Sequence, residues 1–360
     1  MNARVRNNPE PAARETKAAM SQVQKAPSTA KAFLICTIAG SAYLAACAGT
    51  LTASSVWLAL AFSGFKAFTM AVLFVVGHDA CHGGFTPFGR LNQIIARVAF
   101  LPTWHPYVCW HLGHNRLHHC WTNLKGRDYV WTPLSLAEYQ SLPRWRRALQ
   151  RFYRTLLGLG VYYAVEIWWC HLLFPRRADR AQMRPWLQRS DRTLVVAFAV
   201  AEIGTAIWVA CLLGRSPWQV TLVSVLVPHL LWNWLMGLVI LLHHTHPRVR
   251  WYETQAEWSF FRTQVAGTVH VIFPEWLSLL LCNIMEHSAH HVDPRIPLYR
   301  LRDAQRALEA RFAEDVIVTR FRLKDAIEIC QSCRLYDYQC KQWLNWDGSP
   351  TCSPWCHPLS

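Results

Sequence analysis

Four long apolar runs dominate the hydrophobic pattern of the chain. They are separated by polar stretches and cover roughly residues 32–53, 55–76, 192–213 and 217–242. About 20 apolar residues in a helix cross the hydrocarbon core of a bilayer, so each run is long enough to span a membrane. The pattern predicts an all-α integral-membrane fold with four transmembrane helices.

A fifth apolar segment, residues 155–174, fits this pattern less well. It is shorter than the other four and is interrupted by Glu166 and His171. If it crossed the bilayer, the basic run from Arg176 to Arg184 would lie outside, and the histidine-rich segments before and after it would fall on opposite faces of the membrane. We therefore interpret this segment as interfacial or re-entrant.

The basic residues predict which side of the membrane each polar region occupies. Lys and Arg are concentrated in residues 1–30, in residues 77–191 and after His243, whereas the two short connections between paired spans carry only Arg215. By the positive-inside rule, the three basic regions are cytoplasmic. Both termini and a helical cap that holds the functional site are then expected on the cytoplasmic side, in a membrane such as the bacterial inner membrane.

Composition agrees with a membrane protein and divides the chain into three parts. Hydrophobic residues make up 52% and charged residues 16%, against about 25% charged residues in soluble domains. The net charge of +15 flanks the spans, which favours membrane topology and excludes nucleic acid as a partner. We predict a disordered cytoplasmic arm over 1–30, a catalytic domain over 31–325 and a tail rich in Cys and Trp over 326–360.

The thirteen cysteines do not indicate a disulfide framework, because several lie in apolar runs where a reduced cysteine packs as a small hydrophobe. Cys330 and Cys333 form a single CxxC pair in the tail. A structural zinc site usually needs two such pairs or a matching histidine pair, so zinc in the tail is the weaker of the two interpretations.

Three clusters of histidine carry the strongest signal in the sequence. HDACH holds two histidines four residues apart, HNRLHH repeats that spacing, and HSAHH gives spacings of three and four; the residues are His78, His82, His114, His118, His119, His287, His290 and His291. At helical spacing such side chains share one face. Eight imidazoles exceed what one ion holds, so we predict a two-metal site, although Fe, Zn, Cu and Ni all accept imidazole ligands.

These clusters and their surroundings resemble the three histidine boxes of membrane fatty-acid desaturases. The segments that carry the resemblance are HDACHGGFTP at 78–87, WTNLKGRDYVWTP at 121–133 and LHHTHP at 242–247. The likeness runs from about residue 55 to residue 300 and is greatest to the acyl-lipid, methyl-end branch that includes omega-6 (delta-12) enzymes. It implies that the eight histidines bind two irons. It also implies a ninth ligand after the last span, for which His243, His244 and His246 are candidates; we prefer His244. Acyl-CoA desaturases place Asn where this chain has Ile240.

Acidic residues beside the boxes are candidates to orient the metal-bound rings: Asp79, Asp128, Glu286 and Asp293. Surface charge or helix capping explains each of them nearly as well. Among the other histidines, we interpret His111 as a polar neighbour of the second box. His229 and Asn233 either line an acyl tunnel or bond between helices. We interpret the remaining histidines as structural, namely His105, His171, His270 and His357.

The resemblance implies an O2-dependent enzyme that introduces a cis double bond into acyl chains of membrane lipids, with delta-12 preferred. Front-end desaturases usually have Gln where this chain has His287. No catalytic residue apart from the metal ligands and no organic cofactor are expected. The sequence lacks the His-Pro-Gly-Gly motif of a fused cytochrome b5, so a separate ferredoxin, rubredoxin or cytochrome b5, with its reductase, is expected to supply electrons. The alternatives are a carotenoid ketolase or hydroxylase, an alkane hydroxylase, or a membrane metal carrier without redox chemistry.

Overall fold

The computed structural model describes residues 11–20, 23, 26–175, 177 and 183–351, and within them the fold is mostly helical. Four helices are long and apolar enough to cross a membrane, which confirms the predicted spans: α2, Thr29–Thr52; α3, Val56–His82; α9, Pro185–Leu212; and α10, Pro217–His244. The other helices are α1, Pro11–Ala19; α4, Gly89–Phe100; α5, residues 107–121; α6, Leu136–Ser141; α7, Arg144–Tyr153; α8, residues 159–173; α11, Phe261–Val265; α12, Glu275–Leu280; α13, His287–Val292; α14, Leu301–Arg311; and α15, Leu323–Ser332.

The ends of α3 follow from its sequence. Ser55 caps its first turn by accepting a hydrogen bond from the amide of Leu58, as serine commonly does at a helix N-terminus. The helix ends where Gly83 adopts a left-handed conformation with φ of 80°, which costs glycine little. Because α3 continues to His82, the first histidine box is its last turn rather than a segment that follows it.

Helices α3 and α10 form the centre of the membrane-spanning layer, and α2 and α9 lie outside them. In the most apolar stretch of each helix, 56% of α3 and 44% of α10 is buried, against 22% of α2 and 17% of α9. The outer helices therefore present apolar side chains to lipid. The two inner helices pack against more of the protein, which holds their side chains in fixed positions.

The segment expected to be interfacial or re-entrant forms α8, which is not among the four candidate spans. It packs closely against α10, where Gly160 meets the backbone of Trp234 and Gly237 meets the carbonyl of Leu159. A Cβ atom at Gly237 would lie 2.2 Å from that carbonyl oxygen, so glycine is required for this approach. The helix thereby closes one side of the space next to α10.

The expectation of an all-α fold is wrong in one respect, because the described residues also contain two small sheets. Strands β1, Val269–Ile272, and β2, Ile317–Arg320, pair in parallel with Val269 opposite Ile317. Strands β3, Leu335–Asp337, and β4, Gln342–Leu344, form an antiparallel pair. Each strand has three or four residues, which is too short for an alternating pattern to stand out in the sequence.

Part of the N-terminal arm is helical in the structure. Helix α1 lies against α14, and its Glu15 forms an ion pair with Arg311. Thr16 and Met20 are fully buried there. Tertiary contact thus supplies the stability that a nine-residue helix lacks on its own.

Candidate metal centre

The first histidine box begins the site at the end of α3. His78 and His82 are one turn apart, and their ring centroids lie 4.8 Å from each other. Nε2 of His78 lies 2.8 Å from Nε2 of His114 in α5. Two ligands bound at right angles to one ion, each about 2.1 Å away, are about 3 Å apart, so this distance suits a shared metal.

The second box lies on a π-helical turn, which changes how its histidines are distributed. Residues His111–His118 form this turn, and the amide of His119 donates to the carbonyl of His114, five residues earlier. Hydrogen bonds at this spacing widen the helix. His114 and His119 therefore point together, with their Nε2 atoms 3.0 Å apart. His118, four residues after His114, belongs to a different group, although the two ring centroids lie 5.3 Å apart.

The box histidines form two groups rather than three. The first group has five members whose ligating nitrogens all lie within 4.8 Å of one another: His78, His82, His114, His119 and His290. The second group meets the same limit with His118, His244 and His291. His287 adjoins this second group, because its Nε2 lies 2.9 Å from Nε2 of His244. The second and third boxes thus each contribute to both groups.

Two polar side chains orient rings of the second group. Nδ1 of His118 lies 2.9 Å from Oδ1 of Asp128, and Nδ1 of His291 lies 2.8 Å from Oε1 of Gln264. Asp128 also accepts hydrogen bonds from the amides of Asn123 and Val130, which hold the carboxylate in place. These bonds leave Nε2 of each imidazole for a metal.

The other acidic candidates contact different groups. Asp79 accepts a hydrogen bond from the amide of Leu298. Glu286 lies 3.6 Å from Arg302 and Asp293 lies 3.6 Å from Arg295. Sequence reasoning missed Gln264, which is remote from every box, and no spacing signal marks it.

Burial keeps the imidazoles neutral. Five of these histidines lie outside the spans and have pKa values well below the ordinary value: His114, His119, His287, His290 and His291. The larger cause is burial, which disfavours the charged form, and the smaller is repulsion from neighbouring imidazoles. A neutral ring keeps a lone pair for a metal. The buried Nε2 atoms of His82, His290 and His291 have no hydrogen-bond partner among the described residues. This donor set fits two metal ions with imidazole ligands.

The candidate ninth ligand is distinguished by its contacts. His244 belongs to the second group. The ring of His243 stacks on that of His287 at 3.8 Å, and Nδ1 of His246 accepts from the amide of Arg248. Of the three, His244 alone has a nitrogen within 4.8 Å of the ligating nitrogens of His118 and His291 among the described residues.

An apolar cavity lies beside both groups. Side chains of α3, α8 and α10 form much of its wall: Ala71, Phe74, Val75, Tyr163, Ile167, Leu235, Met236, Val239 and Ile240. Histidines of both groups complete the lining, including His78, His114, His118 and His244. The cavity is therefore apolar over most of its wall and reaches imidazole rings of both groups.

His229 and Asn233 do not line this cavity. Nδ1 of His229 lies 2.8 Å from the carbonyl of Val225, and the amide of Asn233 donates to the carbonyl of His229. Both bonds are within α10. His229 also packs its ring against Trp104, with 3.8 Å between ring centroids.

The remaining histidines contact other side chains. His105 bonds to Thr103 and to the hydroxyl of Tyr163. His270 bonds to Glu309, and His171 stacks on Tyr129. The ring of His111 lies 6.0 Å from that of Tyr107. His357 lies outside the described residues.

In the tail, Cys330 and Cys333 are buried, and neither forms a disulfide among the described residues. The candidate metal groups found among the described residues consist of histidine alone.

Comparison with known proteins agrees with this architecture. The model of the family described as fatty acid desaturase matches residues 24–322. The chain is 29% identical over 265 residues to the sn-1 oleoyl-lipid 12-desaturase of Synechocystis sp., covering 73% of this chain and 72% of that protein. It is 28% identical over 284 residues to the chloroplastic omega-6 fatty acid desaturase of Spinacia oleracea, covering 78% of this chain and 58% of that enzyme. The chain belongs to the fatty acid desaturase family.

Proposed function

We propose that the enzyme introduces a cis double bond at the delta-12 position of a monounsaturated acyl chain esterified to membrane lipid. The observation that carries this proposal is the apolar cavity whose wall includes histidines of both groups, hereafter the acyl cavity. Relatives that match about three quarters of the chain act as oleoyl-lipid 12-desaturases by name. His287 at the start of the third box supports this branch rather than a front-end enzyme.

The two histidine groups are proposed to hold two irons. The first iron takes ligands from the five-member group, and the second takes His118, His244, His287 and His291. When bound, the iron pair supplies the O2-dependent oxidation that unactivated C–H bonds require. Electrons come from a separate ferredoxin, rubredoxin or cytochrome b5 with its reductase.

The protein's own residues bind and orient the acyl chain. Phe74 and Val75 of α3 and Ile240 of α10 all line the cavity. Apolar walls exclude water from the histidine groups and favour a bound hydrocarbon. The indole of Trp110 stacks on the ring of His114 at 4.6 Å, which fixes that ring where the cavity meets the first group.

Lipid analysis tests this function directly. The full-length chain is expressed in a host whose unsaturated fatty acids are all monounsaturated, and total lipid is analysed by gas chromatography with mass spectrometry. We expect an 18-carbon diene with its second double bond at delta-12. Hydroxylated alkanes, ketocarotenoids or an unchanged fatty-acid profile would contradict the proposal.

The cytoplasmic position of the cap and of both termini is part of the proposal, as is location in a bacterial inner membrane. It rests on the distribution of Lys and Arg around the four span helices. A reporter fused after residue 185 should report a cytoplasmic location. An external signal would show that α8 crosses the membrane.

A further inference from the structure

A second cavity, of about 410 Å³, lies between the end of α7, the turn after it and α15. It shares no lining residue with the acyl cavity. Arg151, Arg154 and Arg334 line it, and its lining contains no Asp or Glu. Three guanidinium groups around a cavity without a carboxylate make its lining strongly positive.

Arg154 is the buried member of this set, with 8% of its surface exposed. Its guanidinium lies 4.6 Å from the ring centroid of Trp131, and its Nη1 has no hydrogen-bond partner among the described residues. Burial lowers its pKa, yet an arginine stays protonated in proteins. A buried charge is costly unless it is paired.

The ionisable groups that act on Arg154 do not neutralise it. They are the hydroxyls of Tyr162 and Tyr338 and the thiols of Cys330 and Cys333. Burial raises the pKa of Cys330 to about 11 and raises the pKa of both tyrosines. With Tyr162, Tyr338 and Cys330 protonated near neutral pH, the positive charge of Arg154 lacks a counterion among these three groups.

The other two arginines keep donors for a ligand. Nε of Arg151 donates to the hydroxyl of Tyr139, and Nη1 of Arg334 donates to the side-chain oxygen of Asn345. Both acceptors are neutral. The carboxylate of Asp347 interacts electrostatically with Arg334 and accepts a hydrogen bond from the amide of Ser349, but it does not line the cavity. Each guanidinium has five N–H donors, so most remain available.

We propose that this cavity, hereafter the arginine cavity, binds a phosphate group. Guanidinium forks match the oxygen geometry of phosphate, and a phosphate would supply the missing negative charge beside Arg154. The phosphate belongs either to the headgroup of an anionic membrane lipid or to a free phosphate.

The surroundings of the arginine cavity suit a lipid headgroup. Trp145 and Phe152 of α7 and Leu157 in the next turn are 66%, 41% and 80% exposed, respectively. Exposed apolar side chains on a basic helix are typical of a membrane interface, where basic pockets bind anionic headgroups. The indole of Trp234, next to Leu235 of the acyl cavity, donates to the carbonyl of Leu156 in the arginine cavity.

Binding is measured on the full-length protein, delipidated in a neutral detergent. Thermal unfolding is followed while sodium phosphate is titrated against sodium chloride at matched ionic strength. A second series adds phosphatidylglycerol or phosphate-free dioleoylglycerol to the micelles. A ligand that binds only the folded state raises the Tm in a saturable way.

Three variants make the test specific. Arg154→Gln removes the buried charge, and Arg334→Gln removes a partly exposed one in case the first variant folds poorly. Arg144→Gln is the matched control, since Arg144 lies on α7 but does not line the cavity. We expect the apparent Kd to rise about tenfold or more in the first two variants and to stay unchanged in the control.

The outcomes of these titrations distinguish a lipid headgroup from a free phosphate. Stabilisation by phosphatidylglycerol but not by inorganic phosphate or dioleoylglycerol assigns the site to a lipid headgroup. Stabilisation by inorganic phosphate as well assigns it to the phosphate group in either form. The proposal is overturned if neither ligand raises the Tm, or if Arg144→Gln weakens binding as much as Arg154→Gln and Arg334→Gln.

Discussion

The two histidine groups differ in how their rings are held. In the first group, nitrogens of His78, His114 and His119 lie about as close to one another as ligands of one ion. In the second, His118 and His291 also bond outward, to Asp128 and to Gln264. A carboxylate on the far nitrogen raises the basicity of a ligating imidazole and fixes its tautomer. The two proposed metal positions are therefore chemically unequal, although the second and third boxes supply histidines to both.

The largest effect is expected from removing one ligand from either group. His290 and His291 are adjacent in α13 but belong to different groups. His290→Ala and His291→Ala should each lower diene formation to below about 1% of wild type, because each leaves one iron short of a ligand. Lipid analysis measures the product, and immunoblotting of membranes shows that the protein remains.

The matched control for these substitutions is His111→Ala, on the same helix as the second box but in neither group. It should retain diene formation within about twofold of wild type, because all the proposed metal ligands remain in place. Full activity in His290→Ala or His291→Ala would contradict the grouping.

A smaller effect is expected at Asp128, which supports only the second group. Asp128→Asn removes the charge beside His118 and should weaken metal binding about 10- to 100-fold at that position alone. Metal content after dialysis against graded chelator measures the loss. Asp293→Asn, which alters a carboxylate beside Arg295, serves as the control. Equal loss of both metals in Asp128→Asn would show that the groups are not supported separately.

Gln264 should matter less than Asp128, because its amide is neutral. Its Oε1 accepts from His291, while its Nε2 donates to the carbonyl of His119. Gln264→Leu should lower diene formation by about three- to tenfold. The hydroxyl of the neighbouring Thr263 donates to the carbonyl of Ser259, two residues before α11, and contacts no histidine of either group among the described residues, so Thr263→Val should change diene formation little. Unchanged diene formation in Gln264→Leu would show that Gln264 does not support His291.

The smallest effect is expected at His243, which is adjacent to His244 in sequence. His243 stacks on His287 and lines the acyl cavity without joining either group. His243→Phe keeps the stacked ring and should change activity by less than about threefold. His244→Phe should abolish diene formation. The reverse order would make His243 the ligand.

The sequence predicted the four spans and the three histidine boxes, but it did not predict how the box histidines divide between two groups. Twenty-residue apolar runs follow from bilayer thickness, so hydropathy alone predicts the four helices. The spacing of the histidines does not reveal the π-helical hydrogen bonding of residues 111–118 or the placement of His114 and His118 in different groups. Gln264 is brought to His291 by tertiary structure. The same holds for Arg154, whose burial depends on α15 and Trp131.

The central claim is that the interleaved boxes hold two irons in two unequal positions. Elemental analysis of the purified full-length protein tests it most directly. The account predicts two irons per chain in the wild type and about one in His290→Ala or His291→Ala. A single zinc per chain with no iron would contradict it.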